Sequence, residues 1–256
     1  MTFQPTRSLV TGASSGIGAE FARTLAARGS NLVLVARRTD RLQSLAGDLA
    51  ARHGIQAEVI GMDLSEEGVG DALRTRVDGP IDLLVNNAGF GVHGLLATAD
   101  IAALDRMIAV NIRALVELSR AFLPEMLERG AGGIVNIAST AAYQPLPGMA
   151  GYGASKAFVL SFTEALWQEA RERGVKVLAL SPGATESEFF EVVGNENGAV
   201  GAKQSAQQVV ATGMRALDRR STPPSVVSGR RNALTALSTR FTPKRLVIPV
   251  AARLMR

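Results

Sequence analysis

The 256-residue chain has no cysteine, one tryptophan, two tyrosines and two histidines. Without cysteine there can be no disulfide, no thiolate nucleophile and no cysteine-bound metal. His53 and His93 have no partner at ligand spacing, which argues against a histidine zinc site. No apolar run approaches the roughly 18 residues a membrane span needs. The first residues carry no signal-peptide core, so a soluble, cytoplasmic protein is expected. There is also no Pro/Gly/Ser-rich linker, no fixed-period repeat and no low-complexity stretch, and residues 1–256 read as one domain. Acidic residues are scarce at one end only. Residues 215–256 hold ten lysines and arginines against Asp218 alone, a local charge of +9, while the whole chain carries +5. The isoelectric point of about 10.2 is therefore a property of the tail. The body, residues 1–214, is mildly acidic, which weakens any reading of the chain as a nucleic-acid binder.

Short aliphatic runs alternate with amphipathic ones. Strands are expected at Ser8–Val10, Asn31–Val35, Ala57–Met62, Ile81–Val85, Gly133–Ala138, Val175–Leu180 and Ser225–Ser228. They are rich in Val, Ile and Leu and lack polar alternation, as strands covered on both faces should be. Helical patterns lie between them at Gly18–Arg28, Asp40–Arg52, Glu66–Val77, Ile101–Glu128 and Gly153–Arg173, with Pro124 marking where the fourth could bend. Strand alternating with helix implies right-handed crossovers. The expected fold is a doubly wound α/β Rossmann-type domain with a mostly parallel seven-stranded sheet.

Gly12, Gly16 and Gly18, in "LVTGASSGIGAEFA", follow the first strand and open the first helix. Glycines there let the backbone turn tightly and approach a pyrophosphate, which meets the free N–H groups and positive dipole end of the helix. No Gly-Lys-Ser/Thr follows, so the Walker-type loop is excluded. Tyr152 and Lys156, in "YGASK", are i and i+4 and share a helix face. A free phenol titrates near pKa ~10 and is a poor base at neutral pH, but a nearby ammonium stabilises the phenolate. Such a pair could donate or accept a proton near physiological pH.

The spacing TGASSGIG resembles the fingerprint of the short-chain dehydrogenase/reductase family. Further motifs match in order: "NNAG" (Asn86–Gly89), Asn111 in "MIAVNI", Ser139 in "IVNIAST", the Tyr152/Lys156 pair, and "SPG" (Ser181–Gly183). The resemblance covers roughly residues 6–190. It implies a hydride-transferring oxidoreductase with Asn111, Ser139, Tyr152 and Lys156 as catalytic residues. Tyr152 would be the general acid or base, and Lys156 would tune it and bind the nicotinamide ribose. Ser139, and not its neighbour Thr140 or Ser155, would donate to the substrate oxygen. Asn111 would hold the helix geometry and a proton-relaying water. The dinucleotide would lie on Gly12, Ser14, Ser15, Gly16, Ile17 and Gly18, with Asp63 and Leu64 at the adenine. Asn87, Ala88 and Gly89 would pass the adenine ribose, and Pro182, Gly183 and Thr185 would border the nicotinamide. Ser187 stands where the family often has threonine.

The second strand ends in Ala36–Arg37–Arg38. An acid at that point accepts from a free 2′-OH and selects NAD, whereas arginine accommodates the 2′-phosphate of NADP. The nearest acid, Asp40, falls at a helix start, where capping explains it. The expected cofactor is NADP (NADPH), with Arg37 the closer of the two to the phosphate.

A substrate lid is expected near residues 186–218. Its Phe189 and Phe190, with Leu146 and Met149, suggest an apolar pocket for a carbonyl or alcohol. The sequence does not name the substrate. A non-catalytic NADPH sensor and a membrane-associated lipid ketoreductase stand as alternatives. The basic segment 219–256 suits ordinary packing in a homodimer or homotetramer, or an anionic membrane surface. Pro243 and Pro249 are expected to interrupt any long amphipathic helix there, and nucleic acid is not expected as a partner.

Overall fold

The computed structural model describes residues 2–186 and 203–254. Seven strands form its sheet: β1 (Arg7–Thr11), β2 (Asn31–Ala36), β3 (Ala57–Gly61), β4 (Leu83–Asn86), β5 (Gly133–Ile137), β6 (Lys176–Ser181) and β7 (Ser225–Val227). Their order is β3-β2-β1-β4-β5-β6-β7 and every neighbouring pair is parallel. The helices are α1 (Gly16–Ala27), α2 (Thr39–His53), α3 (Val69–Arg76), α4 (Ile101–Ile108), α5 (Leu115–Arg129), α6 (Ala150–Arg171), α7 (Ala206–Leu217), α8 (Arg230–Phe241) and α9 (Lys244–Leu254).

The missing polar alternation of the strands now has its cause. Successive residues point to opposite faces, and both faces are covered. Val10, Leu32 and Leu34 pack with Phe21, Leu25 and Met214 beneath α1, α2 and α7. Leu9, Val33 and Val35 pack with Leu73, Phe122 and Leu166 beneath α3, α5 and α6. Strand order reverses between β1 and β4, so a crevice opens at the carboxyl ends of those two strands, where ligands of doubly wound sheets bind.

Three local expectations need correction. The irregularity in the long fourth helix is not at Pro124, through which α5 continues. It is a π-helical segment, Ala109–Ala114, between α4 and α5. Asp40 is not a cap: α2 begins at Thr39, so Asp40 sits inside the first turn, where its charge favours the dipole end. Pro249 does not break the tail, because α9 runs through it, and only Pro243 separates α8 from α9. Of the expected lid, residues 187–202, including Ser187, Phe189 and Phe190, lie outside the described residues, and α7 forms the remainder.

Candidate active site

The turn after β1 and the turn after β4 are fastened together. Thr11 Oγ1 accepts from the backbone N–H of Asn87 at 3.0 Å and of Ala88 at 3.1 Å. Asn87 Nδ2 donates to Thr11 O at 2.9 Å and Gly12 O at 3.2 Å. This close approach requires glycine. Gly12 has φ +64°, and a Cβ on it would stand 2.8 Å from Asn87 Nδ2; a Cβ on Gly18 would overlap Gly12 O. Gly18 thus shapes the turn from behind. Gly12, Ser14, Ser15, Gly16 and Ile17 face a cavity of about 580 Å³. The N-terminus of α1 opens at the same turn, supplying N–H groups to an anion.

The other expected cofactor residues line the same cavity: Arg37, Arg38, Asp63, Leu64, Asn87, Ala88, Gly89, Pro182, Gly183 and Thr185. Arg38 Nη2 donates to Ser14 Oγ and Ser15 Oγ, each at 3.2 Å. The guanidinium at the end of β2 therefore spans to the glycine turn. Arg37 lines the same cavity, and its charge acts on Asp63. The Asp63 carboxylate accepts from Ser65 N–H at 2.9 Å and Ser65 Oγ at 2.8 Å, and these bonds, with Arg37 and Arg106, hold it below the usual carboxylate range.

Ser139, Tyr152 and Lys156 meet at the far end of the cavity. Ser139 follows β5 and caps a short 3-10 turn (Thr140–Tyr143), its Oγ accepting from Ala141 N–H at 3.1 Å. Tyr152 and Lys156 are one turn apart on α6, and both are buried. Burial pushes the Tyr152 phenol up to about 12 and the Lys156 ammonium down to about 8. The phenol moves up rather than down because burial outweighs the lowering expected from Lys156. The Lys156 Nζ donates to Ile137 O at 2.8 Å and lies 5.9 Å from the Tyr152 ring centre. The group that draws Tyr152 down is the Ser139 hydroxyl. Thr140 lines the cavity, whereas Ser155 is spent elsewhere, donating to Tyr152 O at 2.8 Å.

Asn111 lies within the π-helical segment, a feature often found at functional sites, and does not line the cavity. Its amide Nδ2 donates to Phe90 O at 2.9 Å and to Ser155 Oγ at 3.0 Å, and its Oδ1 accepts from Phe90 N–H at 3.1 Å. A Cβ on Gly89 would meet Asn111 Oδ1 at 2.9 Å and Lys156 Nζ at 3.3 Å. Asn111 therefore joins the turn after β4 to α6.

Sequence reasoning missed Arg106, Phe90 and Gln144, which also line the cavity. Arg106 and Val110 both face it from positions i and i+4, a spacing visible in the sequence. Gln144 follows an irregular turn with no periodicity to reveal its direction.

The chain matches the short chain dehydrogenase family model over residues 7–198. It belongs to that family. An uncharacterized oxidoreductase of Staphylococcus epidermidis is 35% identical over 187 residues, 72% of this chain and 80% of that protein. A short-chain dehydrogenase from Sphingobium yanoikuyae, solved in complex with NADPH, superposes with a TM-score of 0.82 at 34% identity over 92% of this chain and 94% of that one. The bulky-bulky ketone specific alcohol dehydrogenase from Comamonas testosteroni superposes with a TM-score of 0.78 at 32% identity over 93% and 94%. As a short-chain dehydrogenase the chain is an oxidoreductase. Among its described residues there is no cluster that could hold a metal ion and no helix long and apolar enough to cross a membrane.

Proposed function

We propose that this short-chain dehydrogenase transfers hydride between NADP(H) and the carbonyl/alcohol pair of an apolar substrate. The observation that carries the reading is the convergence of Ser139, Tyr152 and Lys156 on one cavity with the glycine turn and Arg38. The residues fit the cofactor. The glycine turn allows close backbone approach, and Arg38 with the Ser14 and Ser15 hydroxyls forms a cationic, donor-rich corner suited to the 2′-phosphate. Leu64, Asn87, Ala88 and Gly89 would border the adenosine, and Pro182, Gly183 and Thr185 the nicotinamide. Residues 1–256 would act as one domain, in a homodimer or homotetramer as the family resemblance implies.

The bound dinucleotide supplies the hydride. The phenol of Tyr152, protonated at neutral pH as any phenol is and more firmly so because burial raises it, gives its proton to the substrate oxygen in carbonyl reduction. Ser139 Oγ accepts from Ala141 N–H, and its one hydrogen, directed at the Tyr152 oxygen, would turn to the substrate oxygen as charge develops there. Lys156, cationic below about pH 8, stabilises the phenolate left behind and binds the nicotinamide ribose. Phe90, Leu146 and Met149 pack around Tyr152, so the space beside the phenol has apolar walls. This favours a ketone or aldehyde of some hydrophobicity over a charged sugar.

Steady-state oxidation of NADPH and of NADH across a carbonyl panel tests the reading. NADPH should be the preferred reductant, with turnover greatest for hydrophobic ketones or aldehydes. Equal efficiency with NADH would refute the cofactor assignment, and inactivity across the panel with intact NADPH binding would refute the catalytic one.

A further inference from the structure

The apolar residues of α8 face the wrong way for a helix that merely covers the sheet. Ala236 is buried, and Asn232 turns inward, donating through Nδ2 to Ser228 O at 2.9 Å and Gln204 Oε1 at 3.2 Å. Leu234, Leu237 and Phe241 lie on the opposite side, 68%, 52% and 79% exposed. Their i, i+3 and i+7 spacing places them within about 60° of one another around the axis. At the same 100° per residue, Arg231 and Arg240 flank this stripe on its two sides. After Pro243, α9 adds exposed Leu246 and Val250 at i and i+4 on one face, with the less exposed Ile248 on the other; Lys244 and Arg245 precede them and Arg253 follows.

We propose that α8 and α9 dock this protein onto an anionic lipid bilayer. Charge decides the occupant. Residues 219–256 contain nine lysines and arginines and no aspartate or glutamate. A second copy of the same face would bring these cations against one another in an isologous contact. An anionic membrane takes both features at once, the headgroups meeting the arginines and the acyl boundary accepting Leu234, Leu237 and Phe241. A bare polyanion such as nucleic acid leaves the apolar stripe in water. The inner side of the docked helix adjoins the candidate site: Asn232 of α8 packs against Gly183 of the cavity wall. The proposal stands on these surfaces and does not depend on the hydride-transfer reading.

Co-sedimentation of the full chain with vesicles tests it, using phosphatidylcholine alone and phosphatidylcholine containing about one-third phosphatidylglycerol. The protein should partition onto the anionic vesicles and lose binding as salt rises from about 0.05 M to about 0.5 M. A Leu234→Ser, Leu237→Ser, Phe241→Ser variant should bind at least about tenfold more weakly. An Arg231→Gln, Arg240→Gln, Lys244→Gln, Arg245→Gln variant should lose roughly fivefold per charge. Both alter exposed side chains, and unchanged circular dichroism melts would show that the fold survives. The proposal is overturned by no partitioning onto anionic vesicles at low salt, by equal binding to phosphatidylcholine alone, or by an undiminished serine variant. It is equally overturned if the stripe proves to be covered by a second copy, seen as self-association in light scattering that the serine variant abolishes while vesicles capture nothing.

Discussion

Arg38 Nη2 sits 3.2 Å from Ser15 Oγ, so a residue at the end of β2 touches the residue that precedes α1. That bridge sets out where a phosphate on the adenosine ribose would be gripped. Changing Arg38 to Ala should raise KM for NADPH by about 10- to 100-fold, as loss of a charge-assisted phosphate contact implies, and leave KM for NADH nearly unchanged. Arg37→Ala, which removes a charge directed at Asp63, should have the smaller effect on NADPH. Initial-rate measurements with both cofactors check the order, and a larger effect from Arg37 would reverse the assignment.

Tyr152→Phe keeps the ring and removes the proton. The variant should bind NADPH with wild-type affinity, measured by fluorescence titration, while kcat for carbonyl reduction falls by about 10²- to 10⁴-fold. A variant retaining a tenth of the wild-type rate would show that another group delivers the proton.

Lys156 is a buried cation held at a cost in stability. Burial lowers its pKa to about 8 from 10.5, so at neutral pH the folded state holds a charge that water would solvate better. Lys156→Met should therefore make the apoprotein more stable at pH 7, by about 1–2 kcal/mol, and abolish turnover. The pH dependence fixes the sign. Between the folded value near 8 and the unfolded 10.5, the unfolded chain binds more protons at this site, so the wild type gains stability as pH rises. The advantage of the methionine variant should shrink across that window in urea titrations. An advantage constant with pH would mean that packing, not charge, accounts for it.

Gly18→Ala tests the turn from behind. The added methyl would overlap Gly12 O and come within 2.5 Å of Asn87 Nδ2. Urea unfolding should show a loss of about 1–3 kcal/mol, with weaker NADPH binding, although Gly18 lines no part of the cavity. Wild-type affinity in that variant would separate the turn's geometry from cofactor binding.

Much of this was legible in the sequence because it is local. Val and Ile runs of strand length, spaced by helical periods, mark the strands of the sheet to within two residues. The i, i+4 relation of Tyr152 and Lys156 needs only a helix. What was not legible depends on direction in space. The spacing brings Lys156 near Tyr152 but does not show that its Nζ turns to Ile137 O. Adjacent Arg37 and Arg38 are indistinguishable by position, yet only one reaches the serines. The π-helical segment around Asn111 has no signature in composition, and Pro249, expected to end a helix, is accepted in α9, where exposure lets water satisfy the carbonyl it leaves without a donor.

The tie between Thr11 and the 87–88 backbone has a consequence for how the protein comes into being. The two halves of that knot are 76 and 77 residues apart, and the Ser139–Tyr152–Lys156 group lies further along still. A ribosome must deliver well over half of the chain before the cavity that these groups line can close. Nascent chains stalled before that point should ignore NADPH, and the cofactor can act as a folding aid only at the closing stage of synthesis.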